Sequence, residues 1–274
     1  MSDIDYLVEF VRRHEIITVL SGAGCSTASG IPDYRDEDGN WKHPQPVQYG
    51  DFVNNGNVRK RYWAGSYAGW SRIVSAAPNA AHRALADLER SGRIASLITQ
   101  NVDNLHRQAG SRTVIDLHGV LQKTRCLHCN LTGERNEWQA RLEDCNPDWD
   151  AAISRYAPDG DAELTTSDYL AFKVPDCPCC GGVIKPDVVF FGEPVPRETV
   201  IAATELLERS DALLIVGSSL MVFSGYRFVR LARNSGIPLV IINRGRTRAD
   251  EIANRKFSTD CTEMLPRLVD ALAA

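Results

Sequence analysis

The 274-residue chain is 43% apolar and 24% charged, with a formal net charge of −4. That balance describes a chain able to bury a full core, without a disordered signature or the basic surplus of a duplex-binding protein. No apolar run is long enough to span a bilayer, and the N-terminus matches neither a secretory signal nor a transit peptide.

Residues 3–13 read as a first helix, and Ile16-Ile17-Thr18-Val19-Leu20 as a buried parallel strand. Gly22-Ala23-Gly24 follows, then Ser26 to Ser29 as a capped helix start that Gly30-Ile31-Pro32 halts. Asp33 to about Tyr49 is a long polar loop of the kind usually reserved for function. Residues 57–73 and 79–91 carry helical patterns. Strands are expected at 95–99, ending in Gln100-Asn101-Val102-Asp103, and at 114–117, ending in His118-Gly119. The middle of the next segment, roughly 140–165, reads as an inserted loop. Val188-Val189-Phe190-Phe191-Gly192 is an extended segment. Helix 197–209, strand 212–216, helix 224–235, strand 239–242 and helix 261–272 complete the chain. Strands alternating with helices predict an α/β protein with a Rossmann-like, doubly wound parallel sheet.

Ligands of such sheets collect at the carboxyl ends of the strands. Gly22 to Gly24, Gln100 to Asp103, His118, Gly217-Ser218-Ser219 and Asn243 all fall there. The glycine turn offers backbone amides to a pyrophosphate, although Thr27 stands where the usual dinucleotide pattern has a third glycine. His118 is the candidate general base, because imidazole titrates near neutrality. His14, His43, His82, His106 and His128 have structural readings, and Cys25 reads as a small apolar filler. Cys126-x-x-Cys129 and Cys177-x-x-Cys180 have zinc-knuckle spacing; Cys179 offers a competing thiol, but the x-x spacing selects Cys177 and Cys180. Four thiolates close the coordination sphere, so the ion is structural.

These motifs, in order and over nearly the whole chain, resemble the sirtuin family of NAD-dependent protein lysine deacylases. The match rests on Gly22 to Thr27, Gly30-Ile31-Pro32-Asp33-Tyr34-Arg35, Thr99 to His106, Leu117-His118-Gly119, the four knuckle cysteines, Lys185 to Glu193, Gly217 to Ser219 and Asn243. Pro158-Asp159-Gly160-Asp161 and Ser224-Gly225-Tyr226-Arg227-Phe228 resemble the class II branch. The resemblance implies NAD as co-substrate and one structural zinc. It implies a nicotinamide site near Ile31, Asn101 and Asp103, with Asn101 and His118 catalytic. Pro32, Asp33, Tyr34, Arg35, Trp41, Gln100, Arg244, Gly245 and Cys261 would join the cofactor site, and Val188, Val189, Phe190, Phe191, Gly192 and Glu193 would pair with an acyl-lysine substrate.

The implied reaction releases nicotinamide, and His118 takes a proton from the ribose hydroxyls so that the acyl group leaves as O-acyl-ADP-ribose. Protein mono-ADP-ribosyl transfer shares the first step. A zinc-containing NAD oxidoreductase and a non-catalytic NAD-sensing module are the remaining alternatives. Tyr62-Trp63-Ala64-Gly65 lacks the arginine of the Tyr-x-x-Arg pattern that reads succinyl groups, with Arg61 or Arg72 as substitutes. Expected domains are 1–40 with 79–122 and 187–274 for NAD, 41–78 as cofactor loop and helical insertion, and 123–186 for zinc with a class II-type insert. Partners are acyl-lysine proteins, without nucleic acid or membrane, acting from a monomer in a bacterial-type cytoplasm; a matured mitochondrial form is the second reading.

Overall fold

The computed structural model describes residues 2–42, 45–150, 153–157, 161–164 and 168–274. His43 and residues 158–160 of the insert lie outside them.

Six parallel strands form the main sheet: β1 (Ile17–Ser21), β2 (Ser96–Thr99), β3 (Val114–Asp116), β9 (Ala212–Val216), β10 (Leu239–Ile242) and β11 (Arg255–Phe257). Their order is β11-β10-β9-β1-β2-β3, so the connections reverse direction between β1 and β9. That reversal opens a crevice at the carboxyl ends. β1, β2, β9 and β10 are buried along their whole length, as β-branched strands covered on both faces must be.

One face carries α1 (Asp3–Arg13), α4 (Ala80–Arg90) and α9 (Cys261–Ala273), packed on Val19, Leu97, Leu214 and Val240. The other carries α7 (Arg197–Glu208) and α8 (Phe223–Asn234), packed on Leu20, Ile98, Leu213 and Ile215. Side-chain caps set several helix starts. Ser2 and Asp5 form a reciprocal box on α1, Asn79 caps α4, and Asp260 caps α9.

A smaller lobe contains β4 (Gly119–Cys126), β5 (Thr132–Glu134) and β8 (Ile184–Val188) in an antiparallel sheet ordered β5-β4-β8. With it go α2 (Tyr49–Asn54), α3 (Gly56–Ser75), α6 (Arg135–Cys145) and the hairpin of β6 (Ile153–Tyr156) and β7 (Ala162–Leu164). Its core is aromatic: Phe52, Tyr62, Trp63 and Phe190 pack edge to face, and Trp138 packs tilted on Trp63. The short α5 (Leu105–Gln108) follows β2.

Four expectations need correction. Residues 23–29 form two 3-10 turns rather than a capped helix, because the Ser26 hydroxyl bonds Asp103 instead of capping. Residues 140–145 belong to α6, so the insert is not a loop throughout. The extended segment begins at Ile184 and ends at Val188; Phe190 to Glu193 is a turn closed by Glu193 N–H on Phe190 O at 3.0 Å. β11 was not anticipated: it is a three-residue edge strand with two cationic side chains.

Candidate active site

A cavity of about 710 Å³ lies along the carboxyl edge of the main sheet and runs between the two lobes. Every strand end singled out in the sequence reaches it. Gly22, Ala23, Gly24, Gln100, Asn101, Asp103, His118, Gly217, Ser218, Ser219 and Asn243 all line it. So do Thr27, Ile31 to Arg35, Trp41, Arg244, Cys261 and the whole of Val188 to Glu193. Gly245 does not: it turns away at φ +65° and packs against Glu37.

The glycine turn is built for close approach. A Cβ on Gly22 would stand 2.7 Å from Ser218 Cβ, and one on Gly24 would stand 2.9 Å from the Gly217 carbonyl oxygen. Gly24 N–H donates to Gly217 O at 2.8 Å, locking two turns of the sheet edge together. Without side chains, both turns leave their backbone open to a pyrophosphate-sized ligand.

Behind that turn lies a buried polar network. Ser26 Oγ donates to Asp103 Oδ2 at 2.7 Å, and Asn101 Nδ2 donates to Ser26 Oγ at 3.0 Å and to Gly22 O at 3.1 Å. Asp103 also accepts from Leu105 N–H at 2.9 Å. Burial pushes the Asp103 carboxyl up, while the Ser26 and Leu105 bonds oppose it. Asn101 and Asp103 are therefore pre-oriented amide and carboxyl groups on a fixed scaffold, able to read a carboxamide.

His118 follows β3 at the mouth of this network. Its Nδ1 lies 2.8 Å from Gln100 O, and a carbonyl can only accept, so Nδ1 carries the proton. Nε2 then holds the lone pair and lies 2.7 Å from Ser224 Oγ. Burial is the main force lowering the His118 pKa; the Gln100 bond opposes it, and the Arg227 charge lowers it further. The ring is a neutral base at neutral pH.

The loop of residues 33–42 covers the cavity through aromatic contacts. Arg35 stacks on Trp41 at 4.0 Å, and Tyr34, Trp41 and Phe191 meet edge to face with centroids 5.8–6.2 Å apart. Across the cavity, buried Lys185 pairs with Glu193 at 3.1 Å, and Glu193 Oε2 accepts Phe190 N–H at 2.8 Å. That pair fixes the turn of residues 190–193.

The four knuckle cysteines converge within 4.8 Å of one another. Cys126 and Cys180 sulfurs are 3.5 Å apart, and those of Cys129 and Cys177 are 3.8 Å apart. Tetrahedral zinc with Zn–S near 2.3 Å requires S···S of about 3.8 Å, so the donor set fits. Cys179 is exposed and stays outside the cluster. Cys25, His82 and His106 also lie within 4.8 Å, but each ring has a nitrogen bonded elsewhere, while His106 Nδ1 is buried without a partner among the described residues. His106 Nε2 meets Ser21 Oγ at 2.8 Å, and His82 Nδ1 accepts Asn79 N–H at 3.3 Å. The Cys25 thiol is pushed well up by the neighbouring Cys261 sulfur and by burial, so it stays protonated. This is core, as the sequence reading held.

Sequence reasoning named Tyr62, Ser224 and Arg227 only as parts of family patterns and missed Ile73 and Leu121; all five line the cavity, and Ser224 bonds His118. No local signal marks Ile73 and Leu121 as cavity residues; they arrive from α3 and β4.

A doubly wound sheet with a glycine-lined crevice, a neutral base at its mouth and a closed thiolate knot defines an α/β enzyme of the dinucleotide-consuming class. The Sir2 family model matches residues 22–224, and the chain belongs to that family. It is 53% identical to an NAD-dependent protein deacetylase of Bordetella bronchiseptica, over 98% of both chains. It is 45% identical to the NAD-dependent protein lipoamidase sirtuin-4, mitochondrial, of Bos taurus, over 96% of this chain and 84% of that protein. Among solved structures, "Sir2-p53 peptide-NAD+" superposes with a TM-score of 0.80 at 30% identity, covering 98% of each chain.

Proposed function

We propose that this chain is an NAD-dependent protein lysine deacylase that releases nicotinamide and O-acyl-ADP-ribose. The observation that carries the reading is His118, with its lone pair held toward a crevice that ends in Asn101 and Asp103. When bound, NAD supplies a glycosidic bond whose cleavage exposes an electrophilic ribose carbon.

The chain's own residues do the rest. Gly22, Ala23, Gly24, Thr27 and the Ser218–Ser219 turn hold the phosphates; Asn243, Arg244 and Cys261 border the adenosine end. Ile31 to Arg35 and Trp41 close over the nucleotide and exclude water, which strengthens every polar contact inside. Asp103 and Asn101 orient the nicotinamide carboxamide. His118 Nε2 accepts a proton from a ribose hydroxyl, and the Gln100 carbonyl stabilises the imidazolium that results.

The acyl-lysine reaches the cavity beside Val188 to Glu193. Several backbone groups of this segment are already engaged: Val189 N–H donates to His118 O, and Phe191 O accepts Tyr49 N–H. Peptide pairing is therefore short, and affinity for a particular flanking sequence is modest. The acyl end faces Tyr62, Ile73 and Leu121, an apolar lining. Among the described residues no α3 arginine lines the cavity; Arg72 donates to Gly30 O at 2.7 Å and stacks on Tyr156. This supports neutral acyl chains over succinyl.

The cysteine cluster holds one structural zinc with no open coordination position. The division into 1–40, 79–122 and 187–274 for NAD, 41–78 for cofactor loop and helices, and 123–186 for zinc remains the working domain plan; β4 and β8 each run across its boundaries. No described helix is long and apolar enough to cross a membrane. We place the protein as a monomer in a bacterial-type cytoplasm.

Incubation with NAD and a panel of acyl-lysine peptides, followed by mass spectrometry, tests the reading. Nicotinamide and O-acyl-ADP-ribose are expected in equal amounts. NADH would indicate an oxidoreductase, label transferred onto protein would indicate ADP-ribosylation, and no product from any chain would overturn catalysis.

A further inference from the structure

The first turn of α8 touches the catalytic imidazole from a direction that strand-end chemistry does not account for. Gly225 eases the approach: a Cβ there would stand 2.3 Å from Gln100 Oε1, so a larger residue would have to displace the Gln100 amide, which donates to Ser218 Oγ at 2.8 Å. Its predecessor, Ser224, is thereby placed 2.7 Å from His118 Nε2. The Gln100 carbonyl fixes the ring proton on Nδ1, so the serine hydroxyl must be the donor and the imidazole lone pair the acceptor.

Arg227 follows Ser224 by three residues on the same helix face and lines the same cavity. Its Nε is buried without a hydrogen-bond partner, and no carboxylate among the described residues pairs with it. The other charged groups near the ring are engaged. Asp116, two residues back, is bonded to Arg107 at 3.0 Å. Asp187, on the strand paired through Gly119, is bonded to Arg125 at 2.8 Å. Asp103, beyond the end of β2, is bonded to Ser26.

We propose that Ser224 and Arg227 are positioning residues for His118: the serine hydroxyl holds the free lone pair toward the cavity until a substrate hydroxyl replaces it, and the guanidinium keeps the ring neutral. The proposal rests on His118 as base. A neutral imidazole with a single acceptor position cannot bond Ser224 and a ribose hydroxyl equally well at once. Ser224 therefore acts as an occupant that is exchanged, preserving ring orientation between turnovers. Arg227 disfavours a second proton on the ring, so the base does not stall as imidazolium after each transfer. Burial lowers the His118 pKa first, and the Arg227 charge adds to it.

The test uses the zinc-loaded, full-length chain with 15N-labelled histidine. The His118 signals are assigned by their loss in His118→Gln. In the unmodified protein they should report the Nδ1–H tautomer, titrating below the ordinary imidazole midpoint. Arg227→Met should move that midpoint to higher pH, and Arg227→Lys should return it. Ser224→Ala should keep the Nδ1–H tautomer that Gln100 fixes, move the Nε2 signal toward that of an unbonded lone pair, and lower kcat about tenfold while leaving the KM for NAD unchanged, since loss of orientation costs turnover before binding. Ser224→Thr, which keeps the hydroxyl, should restore both. An unmoved midpoint in Arg227→Met together with an unmoved Nε2 signal in Ser224→Ala overturns the proposal. The spectra do not depend on turnover, so they decide it even if no acyl-lysine peptide proves to be a substrate.

Discussion

Burial sets the protonation of three imidazoles here, and only one of them faces a ligand-sized space. His118 has the cavity before it, whereas His82 and His106 sit in the core with rings 4.7 Å apart. Burial, helped by the Arg83 charge, pushes His82 down to about 4. An unfolded chain takes up that proton near pH 6.5, the folded one only near 4. The resulting stability is whole above the unfolded value and is lost as pH falls through the folded one. His82 alone accounts for about 3 kcal/mol over that window, since each pKa unit is worth about 1.4. Thermal melts between pH 7 and 4 should show a steep fall, shallower in His82→Gln; parallel curves would refute the assignment. For His118, substitution by alanine should leave NAD affinity intact by calorimetry while lowering deacylation by about 10²-fold or more. Equal turnover would remove it as base.

Elements show how much the sequence disclosed. β1, β9 and β10 were legible because buried parallel strands read as unbroken β-branched runs. α6 was not, since one of its three buried positions is Arg135, a residue that disguises the inward face; its guanidinium stacks on Trp70 at 4.6 Å. Ser26 misled for a similar reason: a good capping residue spends its hydroxyl on Asp103, a partner 77 positions away. The knuckles were legible because their spacing is itself the geometry, whereas Ser224 and His118 are 106 residues apart and meet only through the fold. The zinc ligands also close the link between β4 and β8, so removing the ion should loosen that sheet. Chelation, with metal loss verified by mass spectrometry, should raise amide exchange in Gly119–Cys126 and Ile184–Val188 while the main sheet stays protected. Uniform protection after verified loss would count against a folding role.

For the molecule as a whole, Gly119 is the joint between lobes. It adopts φ +76°, and a Cβ there would lie 2.0 Å from the Asp187 carbonyl oxygen. Gly119→Ala therefore has to displace β8 from His118, whose carbonyl accepts Val189 N–H at 2.8 Å. A drop in melting temperature of several degrees with a raised KM for peptide is expected; wild-type values for both would show that the joint bears no strain.

The proposed roof over the nucleotide and the proposed ledge for the peptide are one piece of architecture. Gln48 forms an isolated parallel bridge to Phe191, Tyr49 N–H bonds Phe191 O at 2.8 Å, and the Phe191 ring touches Tyr34 and Trp41. A peptide that steadies Phe191 steadies the roof, so occupancy on one side must tighten the other by the same factor. On the proposed sites, each ligand is thereby an effector of its companion.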